Sequence, residues 1–332
     1  VLISALVLAS CGTGDSTSTA GGRDSGDSAP RCETPADLIR RTNTPIGVLM
    51  PSGAPERQSY ASVDELVTVG YTAVSLGLPF YYSSSGEIVF DFDGNADADA
   101  RQRWEGEIRC TVIEAKQAGL VVSVWGQFIE AGRRGEPGKM DAGVQKAVLD
   151  GALALMPDVA ALLEELKVEY WSPVSELDKF AGPSGHNEYF ARMVDSGRAA
   201  FTGTIYAQPN ILDRNGFVAQ SMVPEFGEAD ALGISWISYE CEADKMPPGQ
   251  SLAWADYFVD AAAEQGVTRV FISELGDTKP ADESKRPCLN TLIDYWDGMN
   301  NGVFLLDMPS DQPGSVRIKG SWQETLLQER LG

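Results

Sequence analysis

Two glutamates occupy matching settings far apart in the sequence. Val168–Trp171 (VEYW) is a short, mostly apolar run that stops at Ser172-Pro173, and Glu176 follows three residues later. Thr268–Asp277 (TRVFISELGD) repeats the pattern: Val270–Ile272, then Ser273-Glu274, then Gly276. Pro173 has no N–H for a sheet ladder, so the first run should end there as a strand, with Glu176 at its C-terminal end. Two carboxyls delivered to the same end of one sheet suit cleavage of a glycosidic bond. One, protonated, assists the leaving oxygen while the other, ionised, attacks the anomeric carbon. Proximity itself separates their acidities, because the ionised partner discourages ionisation of its neighbour.

The elements that must bring them together follow from the alternation of short apolar runs with longer amphipathic ones. Strands are predicted at 46–50, 72–78, 120–125, 168–171, 203–207, 231–236, 269–273 and 302–307. Helices are predicted at 63–70, 98–118, 139–166 (broken near Pro157), 187–200, 217–226, 251–265, 287–299 and 321–330. Residues 79–93, with Phe80-Tyr81-Tyr82 and a Ser-Ser-Ser-Gly turn, read as an insertion carrying a hairpin. Eight β-α units with right-handed crossovers close naturally into a (β/α)8 TIM barrel, expected over residues 32–332 as a single domain. A doubly wound open sheet usually carries a Gly-rich phosphate turn after its first strand, and Met50-Pro51-Ser52-Gly53-Ala54-Pro55 is not one.

Glu176 and Glu274 fall just past the fourth and seventh predicted strands, and here the sequence resembles the clan A glycoside hydrolases, nearest in flavour to their β-mannanase and endo-galactanase members. Tyr170–Glu176 (YWSPVSE) resembles the Asn-Glu motif after strand four, and Val270–Gly276 (VFISELG) the Ser/Thr-Glu-x-Gly motif after strand seven. Asp230–Ser235 (DALGIS) is similar to the Asp-x-x-Gly-x-Ser start of strand six in those members. The resemblance implies a retaining (β/α)8 glycosidase without cofactor, Glu176 as acid/base and Glu274 as nucleophile. It also shows departures. Ser175 stands where the family has an Asn that contacts the sugar 2-hydroxyl. The family Tyr that holds the nucleophile falls at Ile237, with Tyr239 nearby, and the last strand ends in Asp307 without the usual Trp. The alternative is a glycan-binding protein on a catalytically decayed barrel, and a third possibility is a tethered scaffold subunit.

Aromatic faces stack on sugars and amides fork onto paired hydroxyls. Trp125, Gln127, Tyr206, Asn210, Trp236, Tyr239, Asp307 and Ser175 are therefore expected to line the substrate site, with Tyr81 and Gln208 as further strand-end candidates. His186, the only histidine, falls in a Gly-rich stretch read as a surface loop. One histidine without any Gly-x-Ser-x-Gly argues against a Ser-His-Asp triad, and one histidine without any Cys-x-x-Cys argues against a zinc site. Asp91-Phe92-Asp93-Gly94-Asn95 has its glycine misplaced for a calcium loop, so no metal is expected there and the acidic run is read as a turn capping the next helix.

The 332 residues carry a formal charge of −22, which excludes a nucleic-acid partner, since phosphates need a basic face. Val1–Ser10 is apolar and reads as the end of a signal peptide, and Leu8-Ala9-Ser10-Cys11 resembles the bacterial lipobox, with Cys11 as the lipidated residue. Residues 11–31, rich in Gly, Ser, Thr and Asp, read as a flexible linker. The expected location is therefore the bacterial cell envelope, as an exported lipoprotein touching the membrane only through its lipid. An oligo- or polysaccharide is the expected partner, and the expected state is a monomer. Export permits disulfides among Cys32, Cys110, Cys241 and Cys288. Cys32 with Cys110 would pin the start of the domain to an outer helix, and Cys241 and Cys288 would fall on neighbouring loops.

Overall fold

Every barrel strand begins as a run of apolar residues long enough for a strand but too short for a helix. The computed structural model describes residues 32–50, 62–133, 140–211, 214–237, 249–276, 283–297, 302–306 and 319–331. Its strands are β1 (Ile46–Met50), β2 (Ala73–Tyr82), β3 (Ile88–Val89), β4 (Val121–Glu130), β5 (Tyr170–Ser172), β6 (Thr204–Ala207), β7 (Ala231–Ile237), β8 (Arg269–Gly276) and β9 (Val303–Leu306). All pair in parallel except the β2–β3 hairpin, and β1 pairs with both β9 and β2, so eight strands close into a barrel. The helices are α1 (Val63–Val69), α2 (Ala98–Gln117), α3 (Ala142–Glu165), α4 (Leu177–Arg198), α5 (Arg214–Ala219), α6 (Gln250–Glu264), α7 (Arg286–Asp297) and α8 (Trp322–Leu331). The fold is the expected (β/α)8 barrel.

The barrel interior is filled by rings and made room for by small residues. Tyr170, Tyr206 and Phe304 surround Phe271 with centroid separations of 5.8, 5.0 and 6.3 Å. A Cβ on Gly233 would come within 2.8 Å of the Tyr206 ring and of Ser273, so only glycine fits beside them. Outside the barrel, Trp171 packs edge-on against Phe201 and fills the space that Gly197 of α4 leaves open.

Several elements differ from the sequence reading. β2 does not stop before Pro79 but runs on to Tyr82, in register with β4 to Glu130. Phe80, Tyr81 and Tyr82 thus belong to a strand, and with β3 they form a wall that rises past the rim. Pro79 costs the ladder little here, and its carbonyl accepts from Trp104 Nε1 at 2.9 Å. The helix α3 runs through Pro157 unbroken. Pro157 is on the exposed side, and the buried stripe of Val148, Leu149, Ala152, Met156, Val159, Ala160 and Leu163 outweighs the hydrogen bond it removes.

The helix α4 begins at Leu177, ten residues earlier than expected. Gly182 takes the one non-helical conformation inside it (φ 70°), and Pro183 then restarts the helix, where its fixed φ is an advantage. His186 is consequently not in a surface loop. It is buried on α4, stacked on Phe190, with its Nε2 3.1 Å from the Glu225 carbonyl oxygen, and burial holds its pKa down to about 4. Finally, Cys288 lies within α7 rather than on a loop; it is disulfide-bonded, and Cys241 lies outside the described residues.

The acidic run before α2 caps that helix, as expected. Asp97 accepts from the Ala100 N–H, while Asp91 accepts from the backbone and side chain of Asn95. At the opposite end of the barrel, residues 32–41 form a strap across the floor. A Cys32–Cys110 disulfide ties it to α2. Arg40 pairs with Glu164 and donates to the Val168 carbonyl, and the Arg41 N–H donates to the buried Glu169, which also pairs with buried Lys116. Cys11 and the preceding segment lie outside the described residues.

Candidate active site

At the C-terminal mouth, three strand ends carry the chemistry. β5 is only three residues long because Pro173 cannot extend it, and the chain turns sharply through Val174 and Ser175. The Ser175 N–H donates to the Gly126 carbonyl at 2.8 Å and the Glu176 N–H to the Gln208 carbonyl at 2.7 Å. These two bonds stitch the turn to β4 and to the end of β6. Between them Glu176 is held in the left-handed region (φ 50°, ψ 41°), which is uncommon for a residue with a Cβ and costs backbone energy. A Cβ on Gly126 would lie 2.1 Å from the Pro173 carbonyl oxygen, so the turn's close approach requires that glycine.

Glu274 reaches the mouth by a different device. Along β7 and β8, Gly233 pairs with Phe271 and Ile234 with Ile272, but Ser235 then pairs with Glu274. The other side shows the same irregularity, Ile272 pairing with Val303 and Leu275 with Leu305. Ser273 is thus an extra residue, a β-bulge. In regular pairing Ser235 would sit beside Ser273, and Glu274 would fall on the outer face. The bulge puts the carboxylate on the same face as Ser235.

The two glutamates meet through that serine. Ser235 Oγ lies 2.9 Å from Glu176 Oε1 and 3.1 Å from Glu274 Oε2, so these carboxyl oxygens are no more than about 6 Å apart. Glu274 is buried, and Gln208 Nε2 donates to its Oε2 at 3.4 Å. Burial first, and the charge of Glu176 second, push its pKa up to about 8, against the opposing pull of the Ser235 hydrogen bond and of Lys179. The Glu176 side chain is 24% exposed, and Lys179 Nζ stands 3.6 Å from its Oε2. One proton on this pair at neutral pH is therefore the expected resting state.

The other candidates are placed at different depths. Trp125 alternates on the same face as Ser123, whose hydroxyl meets Tyr206 inside the barrel at 3.1 Å, and its register partner is Ser172. Trp125 Nε1, Ser172 Oγ and Gln208 Oε1 are buried with no hydrogen-bond partner among the described residues. Asn210 bridges to Ser235 through the backbone, its N–H donating to both oxygens of Asp178. Gln127 and Ser175 are half-buried, Gln127 on the part of β4 that rises above the rim. Tyr206 is not at the mouth. It is wholly buried, with its hydroxyl engaged by Ser123, and belongs to the barrel packing. The Trp236 side chain, Tyr239 and Asp307 lie outside the described residues.

Two participants escaped the sequence reading: Lys179, and Ser235 as the link between the carboxyls. Ser235 was visible only as the last residue of the Asp-x-x-Gly-x-Ser segment, where nothing pointed to a bridging role. Among the described residues there is no group of three or more His, Cys, Asp or Glu that could hold a metal ion.

No family model matches the sequence, and no curated protein is similar to it. Its fold, however, is shared with solved structures. A GH113 β-mannanase of Alicyclobacillus acidocaldarius matches with a TM-score of 0.59 at 14% identity, covering 87% of this chain and 97% of that one. The catalytic domain of the major endoglucanase of Xanthomonas campestris pv. campestris matches at 0.56 and 14%, covering 89% and 97%. An endocellulase of Pyrococcus horikoshii matches at 0.55 and 14%, covering 87% and 92%. At such identities the likeness shows the (β/α)8 fold alone.

Proposed function

We propose that the chain is a retaining glycoside hydrolase that cleaves a β-linked glycan by double displacement. One observation carries the reading: a single hydroxyl, that of Ser235, within hydrogen-bonding distance of both Glu176 and Glu274 at the barrel mouth. A pair that close suits the roughly 5–5.5 Å of a retaining enzyme and leaves no room for the water that an inverting pair, roughly 6.5–9.5 Å apart, must admit.

In the first step Glu176 gives its proton to the glycosidic oxygen while Glu274 attacks the anomeric carbon, and the leaving sugar departs as an alcohol. In the second, Glu176 takes a proton from water, which displaces Glu274 and leaves a hemiacetal of unchanged configuration. The half-exposed Lys179 places a cation beside the oxygen of Glu176 that does not face Ser235. The unpartnered Trp125 Nε1, Ser172 Oγ and Gln208 Oε1 offer donors and an acceptor to sugar hydroxyls.

The same reading makes the chain an exported lipoprotein, anchored through Cys11 by the linker 11–31 and acting as a monomer at the cell envelope. The Cys32–Cys110 disulfide supports an oxidising compartment. β-1,4-Linked manno- and gluco-oligosaccharides are the first substrates to offer, since the structures of similar fold are β-mannanases and endoglucanases. NMR of the fresh products should show the β anomer first. Glu176→Gln and Glu274→Gln should each lower kcat by roughly 10²–10⁴-fold while leaving oligosaccharide binding in place. An α product, or variants that keep full activity, would overturn the assignment. Binding by the wild type without turnover would leave the glycan-binding alternative.

A further inference from the structure

A serine hydroxyl has one hydrogen to donate and lone pairs with which to accept. Ser235 Oγ contacts Glu176 Oε1 at 2.9 Å and Glu274 Oε2 at 3.1 Å. If both carboxyls were ionised, one of those contacts would set a lone pair of Oγ against a carboxylate oxygen. With a single proton on the pair, both become hydrogen bonds: the protonated carboxyl donates to Oγ, and Oγ donates to the ionised one. The doubly ionised pair leaves one contact unmade, and a single proton completes both.

We propose that Ser235 is a positioning residue that holds the two glutamates in their one-proton state and relays that proton from Glu274 to Glu176 when a glycan occupies the mouth. The relay takes its purpose from the glycosidase reading, whereas the sharing of one proton stands without it. In the relay the O–H bond of Glu274 breaks as its proton joins Ser235 Oγ, and the Ser235 O–H bond breaks as that proton joins Glu176 Oε1. Serine ends as it began, Glu274 is left a carboxylate and Glu176 a carboxylic acid.

The two ends of the relay differ in their surroundings in the way this requires. In the empty mouth Glu274 is the more deeply buried partner and the costlier to ionise. Glu176 has more solvent and the Lys179 cation 3.6 Å from its second oxygen. A sugar whose anomeric carbon gathers positive charge reverses the preference, because it favours the ionised form of whichever carboxylate faces it. The remaining groups near the pair do not supply a competing proton. Tyr206, on β6, is engaged with Ser123 a layer below, and burial raises its pKa further. Asp178, on α4, accepts from the Asn210 N–H, and Gln208, Trp125 and Ser172 carry no charge.

The test reads the carboxyls directly. Infrared or ¹³C-glutamate NMR titration of the whole wild-type chain should show two steps from this pair, widely separated. In Ser235→Ala the spacing of the steps should change by about one pH unit, the size expected on losing one charge-assisted hydrogen bond, and Ser235→Thr should restore the wild-type spacing. With an active substrate, the bell-shaped pH profile of kcat/KM should change in width in Ser235→Ala and recover in Ser235→Thr. Folding of each variant is checked by circular dichroism. Unmoved titration steps in a folded Ser235→Ala, or a fall in kcat with both limbs unchanged, would overturn the inference even if the chain proves a glycosidase. The expected titration in a chain that cleaves no glycan would sink the glycosidase reading alone.

Discussion

The nucleophile candidate is held where it is least comfortable. Glu274 lies in the barrel mouth with little access to water, and its ordinary carboxylate pKa is raised to about 8, chiefly by burial. An acid whose pKa is higher in the folded than in the unfolded chain stabilises the fold fully below the unfolded value, near 4.5, and loses that contribution as pH rises through the folded one. Wild type should therefore lose stability between about pH 4.5 and 8 on this account, and Glu274→Gln, which never ionises, should not. Thermal midpoints of the two should coincide near pH 4.5 and part in favour of the variant near pH 8. A variant no more stable than wild type at the alkaline end would show that burial is not what strains this residue. Such a trade of stability for activity is common at catalytic sites. The left-handed backbone at Glu176 is a second such strain, a few residues past β5.

Elements that obey one hydrophobic period were legible, and those that depend on an exception to it were not. The runs ending in Glu176 and Glu274 announced two strands at one end of a barrel, because Pro173 and Gly276 terminate them and β-branched residues fill the second. The bulge at Ser273 left no mark in the sequence, since Ser-Glu is as compatible with regular pairing as with an extra residue. Strict alternation would have turned Glu274 outward. The early start of α4 was missed because a Gly-Pro pair reads as a break, whereas here Gly182 absorbs the kink and Pro183 begins a new turn. Pro157 misled in the same direction, its cost hidden by the stripe of apolar side chains that α3 buries. Because that cost is still present, Pro157→Ala should stabilise the chain by about 1–3 kcal/mol. Urea unfolding should show a higher midpoint at unchanged slope, and a lower one would mean the proline fits its helix better than alanine does.

The whole molecule is two-ended. Its mouth carries the polar and strained residues, and its floor is closed by the strap of residues 32–41, with the buried Lys116–Glu169 pair beneath it. The disulfide joins positions 78 apart in sequence, so removing it should cost about 2–4 kcal/mol through the unfolded state. Cys32→Ser/Cys110→Ser should unfold at lower urea while keeping its pH–rate profile, because the strap lies at the far end from the glutamates. A changed profile would show that the two ends communicate. The position of the strap also decides how the molecule can be held. The disulfide fixes Cys32, the first described residue, away from the mouth, so a bead or a fusion partner attached ahead of it would leave the opening unobstructed.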